Sequence, residues 1–166
     1  MESGSRSSAP RENEKTPEKE SREYPSRPFV GVGVVVFKED SVLLVRRGNE
    51  PRIGEWSLPG GSQDLGETVR ATAFREVLEE TGVTIDEPRF LDVIDAVIPD
   101  EEGRIRFHYT LVDFYTEWTA GEPRAGDDAA HAAWIPLASL ETLGLWEKTV
   151  EIIRKADQLR DQGETT

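Results

Sequence analysis

The chain contains no cysteine. Disulfides, thiolate metal centres and cysteine nucleophiles are therefore excluded. It also lacks any apolar run near the roughly 18 residues that a membrane-spanning helix needs. Its first residues, MESGSRSSAPRENEK, have neither the apolar centre of a secretory signal nor the acid-poor composition of a transit peptide. Basic charge is in deficit: 20 Lys and Arg stand against 33 Asp and Glu, a net charge of −13. That balance argues against a general binder of nucleic acid or anionic membrane. It leaves nucleotide substrates open, because a bound cation and a few placed arginines can handle phosphate locally. The expectation is a soluble, cytoplasmic protein, and no internal repeat is visible.

What is present fits one domain, since 166 residues are enough to bury a core. Residues 1–27 are rich in Ser, Glu, Arg, Lys and Pro, with Tyr24 as the single aromatic. Such a segment buries too little apolar surface to offset its ordering entropy, so a disordered N-terminal tail is expected. The domain is expected over residues 28–162. Val30 to Phe37 (VGVGVVVF) reads as a strand covered on both faces, and Val42 to Arg46 as the next strand after a turn. Gly48 to Trp56 reads as a loop. Arg89 to Ile98 and Arg104 to Tyr115 read as strands, the second alternating with Ile105, Phe107, Tyr109 and Leu111 on one face. A short strand over Ala132 to Ile135 and an amphipathic helix from Leu145 to about Asp161 complete the set. This order implies an α/β fold with a mixed sheet covered by helices on its two faces.

The densest chemical information lies in residues 61–83, GSQDLGETVRATAFREVLEETGV. Glu67 to Thr81 has no proline and no glycine, which predicts a helix, and Gly82 suits a left-handed C-terminal cap. At about 100° per residue, Phe74, Val77, Leu78 and Thr81 cluster on one face. Glu76, Glu79 and Glu80 cluster on the other. Like charges at these spacings repel by about 0.2–0.5 kcal/mol per pair, and Arg75 relieves only part of that. A divalent cation would relieve more. The usual explanation of a glutamate run is a solvated helix face. Against it stand the opposing apolar face and the Pro59-Gly60-Gly61 turn, where backbone groups can approach a ligand. Oxygen donors without cysteine or clustered histidine suit Mg²⁺ or Mn²⁺ rather than zinc.

The same stretch resembles the signature of the Nudix hydrolases. That signature has a Gly, five residues, a Glu, seven residues, then Arg-Glu-apolar-x-Glu-Glu-x-Gly-apolar. Here these are Gly61, Glu67, Arg75, Glu76, Val77, Glu79, Glu80, Gly82 and Val83, and every defined position matches. The resemblance implies a Nudix-type α/β/α sandwich with a mixed β-sheet. It also implies an enzyme that uses Mg²⁺ or Mn²⁺ to hydrolyse a nucleoside diphosphate linked to another moiety. Carried over residue by residue, it makes Glu76, Glu79 and Glu80 the metal ligands, together with the Gly60 carbonyl. Arg75, Glu76 and Glu79 are the catalytic residues, with Arg75 orienting a box glutamate alongside Glu67 or serving as a plain helix ion pair. An acid from a loop outside the box joins them. Asp128 is favoured among Asp100, Glu101, Glu102, Asp127 and Asp128, since it lies six residues before Trp134, and a turn-forming Asp127-Asp128 pair is the other reading.

Substrate contacts are expected from Arg46 and Arg47, from Trp56 by stacking, and from Gly61. One of the two arginines is expected to be plain surface, and Trp56 also suits packing. Trp118, Trp134 and Trp146 are read as packing, and His108 and His131 stand alone. Pro99, sixteen residues after the box, and the segments GEWSLPGG and RAGDDA are similar to small ADP-ribose pyrophosphatase-like members. The expected partner is a small-molecule nucleotide, ADP-ribose first, with a homodimer admitted and neither nucleic acid nor membrane. A nucleoside triphosphate pyrophosphohydrolase and a non-catalytic ligand sensor are the alternatives. Retention of every box glutamate favours the enzyme.

Overall fold

A computed structural model of the chain describes residues 21–124 and 129–163. The elements run β1 (Phe29–Lys38), β2 (Ser41–Arg47), β3 (Trp56–Ser57), β4 (Gly60–Ser62), α1 (Val69–Thr81) and β5 (Thr84–Ile85). They continue with β6 (Arg89–Pro99), β7 (Ile105–Ala120), β8 (Ala129–Pro136), a 3₁₀ turn over Leu137–Thr142 and α2 (Glu147–Gly163). β1 lies at the middle of the sheet. It runs parallel to β7 along Phe29–Phe37 and antiparallel to both β4 and β2. β6 pairs with the far edge of β7, and β8 with β2, both antiparallel. The sheet is therefore mixed, as expected.

The apolar run of β1 is explained by its two covered faces. Val32, Val34 and Val36 join Ala73 and Val77 of α1 in one core layer. Val35 and Phe37 join Ile152, Ile153 and Ala156 of α2 in the other. Each fully buried Val contributes about 1.5–3 kcal/mol relative to exposure. Alternation within one strand thus serves two helices on opposite sides, which gives the α/β/α layering.

The buried face of α1 differs from the expected one. Phe74 and Leu78 are 38% and 51% exposed, and the inward positions are Thr72, Ala73, Val77 and Thr81. Small side chains let the helix lie close to the valines of β1. The two threonines enter the core with their hydroxyls satisfied, Thr72 Oγ1 donating to Glu67 Oε2 at 2.7 Å and Thr81 Oγ1 to the Val77 carbonyl at 2.6 Å. The short strands β3, β4 and β5 were not expected; two glycines in β4 hide a strand from any propensity argument. α2 starts two residues later than anticipated, within ordinary boundary variation.

Residues 21–27, part of the expected tail, touch β7 and its hairpin. The Tyr24 amide donates to the Arg106 carbonyl (2.8 Å), its hydroxyl lies 3.1 Å from Asp100 Oδ2, and Glu23 pairs with Arg106 at 3.2 Å.

Candidate active site

The signature helix is held at both ends. Thr68 Oγ1 accepts from the Ala71 amide at 3.1 Å, a cap of about 1 kcal/mol. Gly82, at φ 73°, closes the C-terminus with its amide on the Leu78 carbonyl. Between these caps Arg75 ties three glutamates together. Its Nε and Nη2 each lie 2.8 Å from one Glu67 oxygen, its Nη1 lies 2.8 Å from Glu76 Oε1 and 3.2 Å from Glu79 Oε2, and its Nη2 also donates to the Ser62 carbonyl. Asp64 completes the acidic ring at 3.5 Å.

The electrostatics follow from these contacts. The Arg75 fork, with help from the Thr72 hydroxyl, holds the Glu67 carboxyl down at about 2. Arg75 is itself pushed further up, chiefly by Glu67. Glu76 shifts the other way, because burial raises it more than the Arg75 contacts lower it.

The glycine turn meets the helix at two points. The Gly60 amide donates to Glu80 Oε2 at 3.0 Å. At Gly61 a Cβ would collide with the Glu76 carboxylate, and at Gly60 it would collide with the Val32 carbonyl. Glycine is required here for close approach. Glu76, Glu80, Gly60 and Gly61 line a cavity of about 270 Å³ that extends past Trp56 and Arg47 to Trp146.

The expected site residues separate as follows. Gly60, Gly61, Glu76, Glu80, Arg47 and Trp56 come together on this cavity. Glu79 lies outside its walls with its side chain 59% exposed, turned to Arg75. Arg46 also lies outside them: its Nε donates to the Gly54 carbonyl at 2.8 Å, so it braces the 48–54 loop. Successive strand residues face opposite ways, which is why only one of the arginine pair enters. Arg47 enters and is braced by the Pro51 carbonyl at 2.7 Å. Pro99 to Glu102 form the β6–β7 hairpin, where Asp100 accepts from the amides of Glu102 and Arg104, and none of these residues lines the cavity. Asp127 and Asp128 lie outside the described residues.

Among the cavity residues that the sequence reading did not place there, three bear on its chemistry. Trp146, read as packing, lines the cavity, with the Arg52 guanidinium 4.5 Å from its ring centroid. Arg22 lines it too, from the segment expected to be tail. The third is Asp113, 3% exposed, whose carboxyl is pushed up to about 6 by burial and then by Asp92, against one hydrogen bond from the Gly33 amide. A signal for it existed: Asp113 is next in the Ile105-Phe107-Tyr109-Leu111 alternation, an acid on an apolar face.

The donor chemistry of the helix and turn suits a hard divalent cation, being carboxylate and carbonyl oxygen alone. The Gly61–Glu76 approach keeps one carboxylate tight against the turn. Among the described residues, however, no three acids or histidines converge as a ready-made metal shell; Arg75 holds Glu79 away from Glu80.

A NUDIX domain model matches residues 27–156. The chain is similar to an ADP-ribose pyrophosphatase of Methanocaldococcus jannaschii, 35% identical over 116 residues that cover 70% of this chain and 66% of that protein. It is similar to the human 8-oxo-dGDP phosphatase NUDT18, 27% identical over 135 residues that cover 81% of this chain and 40% of the relative. In structure it resembles the MutT NUDIX hydrolase of Burkholderia pseudomallei, with a TM-score of 0.68 at 29% identity, covering 78% of this chain and 98% of that one. The chain spans under two thirds of the two curated relatives, 66% and 40% of their lengths. The family model spans most of the chain, which thus belongs to the Nudix hydrolase family.

Proposed function

We propose that the chain hydrolyses the pyrophosphate bond of a nucleoside diphosphate linked to another moiety, with Mg²⁺ or Mn²⁺, and that ADP-ribose is its favoured substrate, yielding AMP and ribose 5-phosphate. One observation carries this reading: a single cavity joins the Glu76–Glu80 end to the indoles of Trp56 and Trp146. A pyrophosphate at the first end and a planar or sugar group toward the second would fill it. The name of the M. jannaschii relative supports the choice of ADP-ribose. Pro99 adds nothing to this choice: it ends β6 next to Ile98, which lines the cavity, but does not itself line it.

Glu76 and Glu80, with the Gly60 carbonyl, would hold the cation, joined by Glu79 on its release from Arg75. When bound, the cation would neutralise phosphate charge and acidify a coordinated water. Arg75 sets the direction of Glu67, Glu76 and Glu79 and so acts as a positioning residue. Arg47 supplies the cavity with a fixed cation for a phosphate oxygen. In the reaction a water oxygen bonds to phosphorus, the bridging P–O bond breaks, and the water's proton passes to a carboxylate. Asp128 is proposed as the additional acid. The reading is tested by identifying products over a panel of ADP-ribose, NADH, diadenosine polyphosphates, coenzyme A and nucleoside triphosphates. ADP-ribose should give AMP with the highest kcat/KM. A triphosphate that is cut faster with release of inorganic pyrophosphate overturns the substrate choice, and no turnover at all favours a sensor.

A further inference from the structure

Asp113 is a buried carboxylate on the wall of the cavity, and the mechanism above leaves it without a task. Among the described residues only the Gly33 backbone amide acts on it as a hydrogen-bond donor, and no ammonium or guanidinium does. Asp92, its neighbour across the β6–β7 pairing, is a second acid and is itself committed to Lys155 at 2.7 Å. A carboxylate in this position costs free energy unless something with hydrogen-bond donors completes it. The backbone makes room for it: a Cβ at Gly33 would collide with Asp113 Oδ1. On the cavity wall its flanking side chains are apolar. Leu111 and Ile94 stand next along the two strands, and Leu58 approaches Gly33 from the turn.

We propose that Asp113 reads the amino-bearing edge of the nucleobase and makes the cavity selective for adenine over its 6-oxo counterpart. This rests on the nucleotide-cleaving reading of the same site. The chemistry is that of an acceptor facing a donor edge. The discriminating form is the ionised carboxylate, which is an acceptor only and takes a hydrogen bond from the exocyclic amine. The apolar side chains beside it suit the faces of a heteroaromatic ring, whereas a ribose hydroxyl would leave them uncovered. Replacing the amine by a carbonyl sets two acceptors against each other. A buried acceptor left without a donor is what gives polar sites their discrimination.

The test compares ADP-ribose with its hypoxanthine analogue, IDP-ribose, in the wild type, D113N and D113V. The wild type should prefer ADP-ribose by about 10- to 100-fold in kcat/KM, carried mainly by KM, which is the scale of one hydrogen bond to a charged group. In D113N the preference should collapse or invert, because the amide can donate to the 6-oxo group. In D113V it should vanish. A purely structural aspartate would lower both substrates together and leave their ratio intact. The same contrast is read without turnover by calorimetric binding of AMP and IMP. If AMP binds better than IMP and D113N abolishes the difference while no substrate is cleaved, the base-reading role stands and the hydrolase reading falls. Equal binding of AMP and IMP by the wild type, or an unchanged ratio in D113N, overturns the role of Asp113. If D113V fails to fold, the isosteric D113N decides.

Discussion

Arg75 grips Glu67 with two parallel hydrogen bonds, Nε to Oε1 and Nη2 to Oε2, each 2.8 Å long. The guanidinium has donors left for Glu76 and Glu79, so one fork sets the posture of the acidic face. In Glu67→Gln the bidentate, charge-assisted geometry is lost. Turnover should fall by about 10- to 100-fold, the usual cost of losing a group that orients a ligand, with the helix intact by circular dichroism. Glu67 is held at about 2, below its ordinary 4.5. A depressed acid contributes stability that is complete above the unfolded value and lost as pH falls through the folded one. The difference in Tm between wild type and E67Q should therefore shrink from about pH 4.5 to about pH 2.

Glycine at 61 is required because the Glu76 carboxylate occupies the space of a Cβ. Gly61→Ala should displace that carboxylate and lower kcat by about 100-fold, as small misplacements do in a positioned site. Gly103→Ala is the control. It lies at φ 81° with open space around it, so it should cost about 1 kcal/mol of backbone strain and leave kcat unchanged. Paired urea melts and rate measurements separate the two effects.

Asp113 predicts a pH-dependent stability of opposite sign to that of Glu67. Its carboxyl is raised from 3.8 to about 6, so the folded state binds the proton more tightly than the unfolded one. Wild-type stability should fall as pH rises from about 4 to about 6, by up to about 3 kcal/mol at about 1.4 kcal/mol per pH unit. D113N should show little of this decline. Parallel denaturation curves for the two proteins across that range would contradict the buried-acid assignment.

The core face of α1 makes a further prediction. Val77→Ala should cost about 1–3 kcal/mol, because Val77 is fully buried against β1. Leu78→Gln should stay within about 0.5 kcal/mol, as surface changes do. Chemical denaturation of both variants distinguishes the observed face from the one expected from helix periodicity.

That difference shows where sequence was informative and where it was not. The glutamate positions were legible because spacing alone puts Glu76, Glu79 and Glu80 on one helical face. The inward face was not, since a helix packed closely on valines buries Thr72 and Ala73 in preference to the larger Phe74 and Leu78. The β1 run was readable as a doubly covered strand, while β4 was hidden by its glycines. Trp56 was legible by adjacency to the signature and Arg47, paired with Arg46, by its place at a strand end, whereas Trp146 and Asp113 reach the cavity only through pairing and layering across the fold. Nor does spacing show that Arg75 draws Glu79 aside, or that Arg46 braces a loop. Those outcomes depend on which neighbouring carbonyls and carboxylates a guanidinium meets.

We propose that the Glu76–Glu80 end of the cavity is a cation-dependent centre for phosphate hydrolysis. Release of AMP from ADP-ribose by the 166-residue chain, measured with Mg²⁺, with excess EDTA, and in Glu80→Gln, tests it most directly. Gln keeps an oxygen to accept the Gly60 amide, exchanges the other for an NH2 group and removes the charge. AMP should form with Mg²⁺, cease in EDTA, and fall by about 100-fold or more in E80Q at unchanged Tm, as loss of a charge that stabilises the transition state requires. Wild-type rates persisting in EDTA, or in E80Q, would rule out a cation-dependent centre at this end of the cavity.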